Sequence, residues 1–157
     1  MKIKLINVGK TTVSFLKEGE QEYEKRLKHY VKFERIDLKE IKTGKQESVK
    51  EIKKKEAIQV LSQIKDSDML VLLDDKGEQY TSSEFAKWIG KKQLSGKKSW
   101  VFLIGGAYGF DDSLYKRSNE KLSLSKMTFS HQMIRLLFLE QLYRAYTILN
   151  GEKYHHS

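Results

Sequence analysis

The 157-residue chain contains no cysteine and no proline. Without thiols there are no disulfides and no thiolate metal sites. The four histidines, His29, His131, His155 and His156, show none of the spacings that hold a metal, so no metal is expected. Without proline, no helix is approached through a segment of fixed backbone dihedral. Long apolar runs are missing too. Met69 to Leu73, Trp100 to Ile104, and Ile134 with Leu136 to Leu139 all fall far short of the ~20 residues that cross a bilayer. Met1-Lys2-Ile3-Lys4 opens a strand pattern and not a signal peptide. There is also no Pro/Gly/Ser-rich linker, internal repeat or low-complexity segment. Together these absences predict one soluble, cytoplasmic domain over residues 1–157, with no membrane contact.

Positive charge is in excess. The formal net charge is +9, from 30 Lys and Arg against 21 Asp and Glu. That balance favours a polyanionic partner through long-range attraction and counterion release, nucleic acid above all. Residues 1–66 hold 17 basic and 11 acidic groups and residues 67–157 hold 13 and 10, so the basic surface and a later ligand site are separable. A single run such as Lys50 to Lys55 reads first as a solvated helix face. Only the total points to RNA or DNA.

Apolar periodicity alternates between strand and helix. Ile3 to Val8 reads as a strand, and Phe15, Gly19, Tyr23, Leu27 and Tyr30 as one face of a helix between Thr12 and Tyr30. Phe33, Ile36 and Leu38 suggest a second strand. Ser48 to Glu51 has capping-box spacing before a helix carrying Ile52, Val60, Leu61 and Ile64. Met69 to Leu73 is a buried-type strand that the Asp74-Asp75-Lys76-Gly77 turn should end, and Thr81 to Glu84 should cap a helix with Phe85, Trp88 and Ile89 inward. This alternation predicts an α/β fold around a mostly parallel sheet, with helices on both faces.

The last third carries the ligand-grade residues. Trp100 to Ile104 is uncharged and suits a strand covered on both faces, and Gly105 and Gly106 follow at once. A bend there lies where open α/β sheets bind ligands, outside the carboxyl ends of the strands. Leu122 to Phe129 reads as an alternating strand running into a polar-apolar segment able to offer backbone groups and an apolar wall to a flat heterocycle. A final helix, about His131 to Leu149, is apolar nearly all round and stops at Asn150-Gly151. His131, Gln132 and Arg135 form one polar patch on it, and Glu140, Arg144 and Thr147 another on roughly the opposite side. Such a helix is either the central core helix or a subunit interface.

Three motifs compete for the chemistry. Val8-Gly9-Lys10-Thr11-Thr12 matches the end of a phosphate-binding P-loop, and Met69 to Asp75 imitates the Asp-terminated strand of such proteins. The phosphate cradle, however, needs its first glycine at Lys4, which lies inside the strand. Gly105-Gly106-Ala107-Tyr108-Gly109 is not the GxGxxG fingerprint, and by itself is only a tight turn. The closing Glu152 to Ser157 reads either as a frayed end or as a functional tail. Tyr154 beside His155 suits an unpaired RNA base, because aromatic faces stack on bases and histidine moves a proton near neutral pH.

Several of these motifs stand in series: Met1-Lys2-Ile3 with Val8-Gly9-Lys10, Glu22-Tyr23 with Arg26, Leu73-Asp74, Ile104-Gly105-Gly106 with Gly109, and Leu122 to Phe129. They continue through His131, Arg135, Glu140, Leu142-Tyr143-Arg144-Ala145 and Tyr154-His155. In this series the chain resembles the SPOUT-class RNA methyltransferases, specifically the small bacterial enzymes of the RlmH family that methylate N3 of a pseudouridine (position 1915, helix 69) in 23S ribosomal RNA. The resemblance implies a C-terminal trefoil knot, a homodimer packed through the last helix, 23S rRNA or the ribosome as partner, and S-adenosylmethionine as methyl donor. It also implies that Leu73, Gly106, Leu124, Ser125, Lys126, Met127, Thr128 and Phe129 line the donor pocket. His155 is then the candidate base or proton relay, Arg144 the group that stabilises an anionic base or a phosphate, and Tyr154 a stacking or positioning residue. Glu140 is a weaker candidate base, and its spacing of four from Arg144 also suits a simple ion pair. Ser130 stands where similar sequences have proline, which loosens the approach to the last helix. His156 and Ser157 replace the usual closing Lys or Arg. The competing readings are a P-loop nucleotide-binding protein and a basic RNA-binding module without chemistry.

Overall fold

The computed structural model describes residues 1–42, 44 and 46–156. Ten elements follow in order: β1 (Lys2–Val8), α1 (Ser14–Leu27), β2 (Lys32–Leu38), α2 (Val49–Leu61), β3 (Met69–Gln79), α3 (Ser82–Leu94), β4 (Ser99–Ile104), α4 (Asp112–Arg117), β5 (Glu120–Ser123) and α5 (Met133–Leu149). The strands form one parallel sheet in the order β2-β1-β4-β3-β5. β4 lies at its centre, and Trp100 to Ile104 are buried because helices cover both faces. On one face Ile3, Leu5, Phe102, Phe138 and Leu142 share a core with α1, α3 and α5; on the other, Ile6, Leu70, Leu103, Val60 and Leu114 pack under α2 and α4.

Helix starts follow the chemistry of their caps. Thr81 and Glu84 close a reciprocal capping box on α3: the Glu84 N–H donates to Thr81 Oγ1 at 3.1 Å and the Thr81 N–H to Glu84 Oε2 at 2.7 Å. Thr81→Ala should therefore cost about 1 kcal/mol, read as a lower thermal midpoint. Ser48 caps α2 by accepting from the Glu51 N–H at 3.2 Å. Ser130 takes over part of the expected proline's work, since its Oγ accepts from the Met133 N–H at 3.1 Å at the approach to α5.

Three expectations are corrected. The buried stripe of α1 is Leu16, Glu20 and Leu27, while Phe15 is 63% exposed. Glu20 is buried as a charge, which hid the stripe from a reading of apolar residues alone. β3 does not end at Asp74. It runs to Gln79, with Leu73 and Glu78 both opposite Leu122, so residues 74–77 bulge off the sheet. Gly77 permits this, because a Cβ there would sit 2.6 Å from the Leu122 nitrogen. β5 is only Glu120–Ser123, and 124–129 is irregular.

A buried charge network ties the loop after β1 to α5. Arg135, 0% exposed, donates to the Val8 carbonyl (2.8 Å) and to Thr11 Oγ1 (3.1 Å). Thr11 donates to Glu20 at 2.9 Å, and Arg35 donates to Thr11, Glu20, Glu24 and Asp37. The Thr12 N–H donates to Gln132 Oε1 at 2.9 Å. These contacts leave no P-loop. Lys4 is paired inside β1, the Thr11 hydroxyl is engaged, and the Glu40 carboxylate lies 2.8 Å from the Cβ position of Gly9, where a phosphate cradle would need positive potential.

Candidate active site

A cavity of about 340 Å³ opens at the carboxyl ends of β3, β4 and β5. Leu73, Ile104, Leu124, Phe129 and Ile134 give it an apolar wall, and Gly105, Gly106 and Gly109 line the bend after β4. Gly105 is required by packing, since a Cβ would meet the Phe110 ring at 2.8 Å, while a Cβ on Gly106 would make only ordinary contacts, with Glu56 and Val8. Ser125, Met127 and Thr128 complete the irregular strap from β5 to α5. The strap is held by internal bonds: Gln79 Nε2 donates to Ser123 Oγ (3.3 Å), Ser123 Oγ to the Ser125 carbonyl (3.0 Å), and the Met127 N–H to Ser125 Oγ (2.9 Å).

Of the residues expected at a donor pocket, Leu73, Gly106, Leu124, Ser125, Met127, Thr128 and Phe129 all line this cavity. Lys126 does not. It is exposed and lies outside the wall. Asp74, Asp75, Tyr115 and His131 also line the cavity and were not singled out for it. Asp74 and Asp75 carry a turn signal, Tyr115 sits on a six-residue helix too short for periodicity to reveal, and His131 reads as part of the polar patch at the start of the last helix.

The other expected trio forms a second cluster. Arg144 pairs with Glu140 along α5, lies over the Tyr154 ring at 4.7 Å, and donates to His155 Nδ1 at 3.2 Å. Tyr154 donates to Glu140 Oε1 at 3.0 Å, and its hydroxyl meets that of Tyr23 at 3.3 Å. Tyr143 packs edge-on against Tyr154 at 4.8 Å, and Arg26 lies over both Tyr23 and Tyr143. Tyr30 donates to Glu152 at 2.8 Å. The closing segment is therefore docked on α1 and α5. Ser157 lies outside the described residues. The bond to Glu140 raises the Arg144 pKa, and burial followed by the Tyr23 and Glu140 contacts raises that of the Tyr154 phenol. Because a guanidinium only donates, His155 Nδ1 accepts, and in the neutral ring the proton sits on Nε2.

The two clusters are apart within one chain. Ile134 lines the cavity, and Arg144 is ten residues further along α5, roughly 15 Å at the helical rise. Among the described residues no group of three or more His, Asp or Glu could hold a metal, and no helix is long and apolar enough to cross a membrane.

A family profile described as "Predicted SPOUT methyltransferase" matches residues 1–155. The chain is 53% identical over 156 residues to a protein of Cytophaga hutchinsonii named ribosomal RNA large subunit methyltransferase H, covering 99% of this chain and 100% of that one. Proteins of the same name from Parabacteroides distasonis and Flavobacterium psychrophilum are 50% and 49% identical, each with 99% of both chains covered. The chain therefore belongs to the SPOUT methyltransferase family, and its parallel sheet is that of the family's knotted α/β fold.

Proposed function

We propose that this protein is a cytoplasmic enzyme that transfers a methyl group from S-adenosylmethionine to N3 of a pseudouridine in large-subunit 23S ribosomal RNA, acting as a homodimer. The observation that carries the reading is the glycine-lined, apolar-walled cavity at the strand ends, in a chain whose full-length relatives are named for large-subunit rRNA methylation. Leu73, Gly106 and the strap from Leu124 to Phe129 would hold the donor, which supplies a methyl group on a sulfonium. The cavity's size fits a small-molecule site.

Pseudouridine N3 attacks well only after losing its imino proton, so the site needs a proton acceptor and a cation beside the resulting anion. Arg144 is the cation. His155 presents Nε2–H while Arg144 occupies Nδ1, and gains a free lone pair once Arg144 turns to the RNA base. Tyr154 has Arg144 on one face and a bond to Glu140, which suits positioning over stacking. Since this cluster lies about 15 Å along α5 from its own cavity, antiparallel pairing of two α5 helices would bring one chain's Arg144 to the partner's donor. Met133, Ile134, Leu136 and Leu137 on α5 are half-exposed and available for that contact.

Mass spectrometry of ribosomal RNA from cells lacking the protein tests the function. Loss of N3-methylpseudouridine, restored by the gene, is expected; an unchanged level of that nucleoside rules the function out. Calorimetry should also record binding of S-adenosylmethionine without magnesium.

A further inference from the structure

We propose that Asp74 makes the cavity selective for the charge of the methyl donor, so that the sulfonium form is held more tightly than the uncharged thioether left after transfer. This rests on the donor reading above. Asp74 opens the bulge of residues 74–77, which have no register partner on β5, and both Asp74 and Asp75 line the cavity. Its Oδ1 accepts from the Lys76 N–H at 3.0 Å, which fixes the carboxylate. Its Oδ2 is buried with no hydrogen-bond partner among the described residues. Burial alone would raise this carboxyl, but the Lys76 N–H, the nearby Tyr115 hydroxyl, which completes no hydrogen bond to Oδ2, and the adjacent Asp75 carboxyl hold it below the ordinary carboxylate range, so it is charged at neutral pH.

A buried, fixed and unpaired carboxylate oxygen calls for a cationic or hydrogen-bonding partner. The nearby cation, Lys121, is exposed and lies over the Tyr115 ring at 5.8 Å. Donor and product share the ribose hydroxyls, the ammonium and the carboxylate; only the sulfonium charge disappears on transfer. A carboxylate that answers the ribose or the ammonium therefore acts equally on both, whereas one that answers the sulfonium separates them.

Calorimetric titration of the dimer with S-adenosylmethionine, S-adenosylhomocysteine and the amine analogue sinefungin distinguishes these cases. Asp74→Asn keeps an oxygen for the Lys76 N–H and removes the charge; Asp74→Ser does the same in a smaller side chain and serves if the first variant folds poorly. Removing the charge should weaken the two cationic ligands about tenfold and the thioether less than twofold. Equal weakening of all three, or of none, overturns the inference while leaving the donor reading intact. Failure of the unaltered protein to bind any of the three overturns both.

Discussion

Arg144→Ala should lower turnover by about 100-fold while leaving affinity for S-adenosylmethionine within about twofold, because removing one stabiliser of a developing anion typically costs 10²–10³ in rate. The residue lies in the cluster with Glu140, Tyr154 and His155 and not in the wall of its own cavity. Single-turnover methylation of ribosomal RNA and donor calorimetry on one preparation check the split. A parallel fall in both would recast Arg144 as structural, and unchanged turnover would remove it from the chemistry. Mixing tests whether two chains build each site. If the chain is a homodimer, Arg144→Ala chains re-paired with chains whose cavity is blocked by Thr128→Trp should recover about a quarter of wild-type activity, since half of the dimers are mixed and each has one intact site. No recovery would mean that each chain works alone.

Gly77→Ala should destabilise the fold by about 3 kcal/mol and abolish donor binding. The added Cβ would lie 2.6–2.7 Å from backbone atoms of Lys121 and Leu122, which cannot rotate away as a side chain can. The strain falls on the β3–β5 pairing beside Leu73 and Leu122, both in the cavity wall. Gly109→Ala is the contrast. Its Cβ would meet open space, so only the positive φ of 80° is penalised, at about 1 kcal/mol. Urea midpoints of the two variants measure the difference, and similar midpoints would mean that β5 yields to the clash.

Much of the architecture was legible because it follows from burial. Trp100 to Ile104 has no charge because β4 is central, and Thr81 with Glu84 announces α3 because the capping box is a local device. What stayed hidden depends on tertiary contacts. Asp74 to Gly77 has the composition of a terminal turn, and only pairing on both sides of it to Leu122 turns it into a bulge within β3. Phe15 looked inward until Glu20 proved to be buried with Arg35. For the site, Gly106 and the strap after β5 stood out as a glycine bend and a polar-apolar segment, but their assignment to a methyl donor came from family resemblance. Asp74 and Asp75 had been spent on the turn. The gathering of Tyr23, Arg26, Tyr143 and Tyr154 around Arg144 joins residues up to 131 positions apart, which no periodicity reports.

The network of Arg135 and Arg35 carries an evolutionary consequence. Arg135, Thr11, Glu20 and Arg35 each satisfy a partner that is nearly cut off from water, so a substitution at any one of them strands a charge or a polar group belonging to another. Such positions drift as a set: lineages that lose Arg135 should have exchanged Thr11 or Glu20 as well. Correlated replacement among these residues, far apart in the chain, would be the historical signature of that constraint.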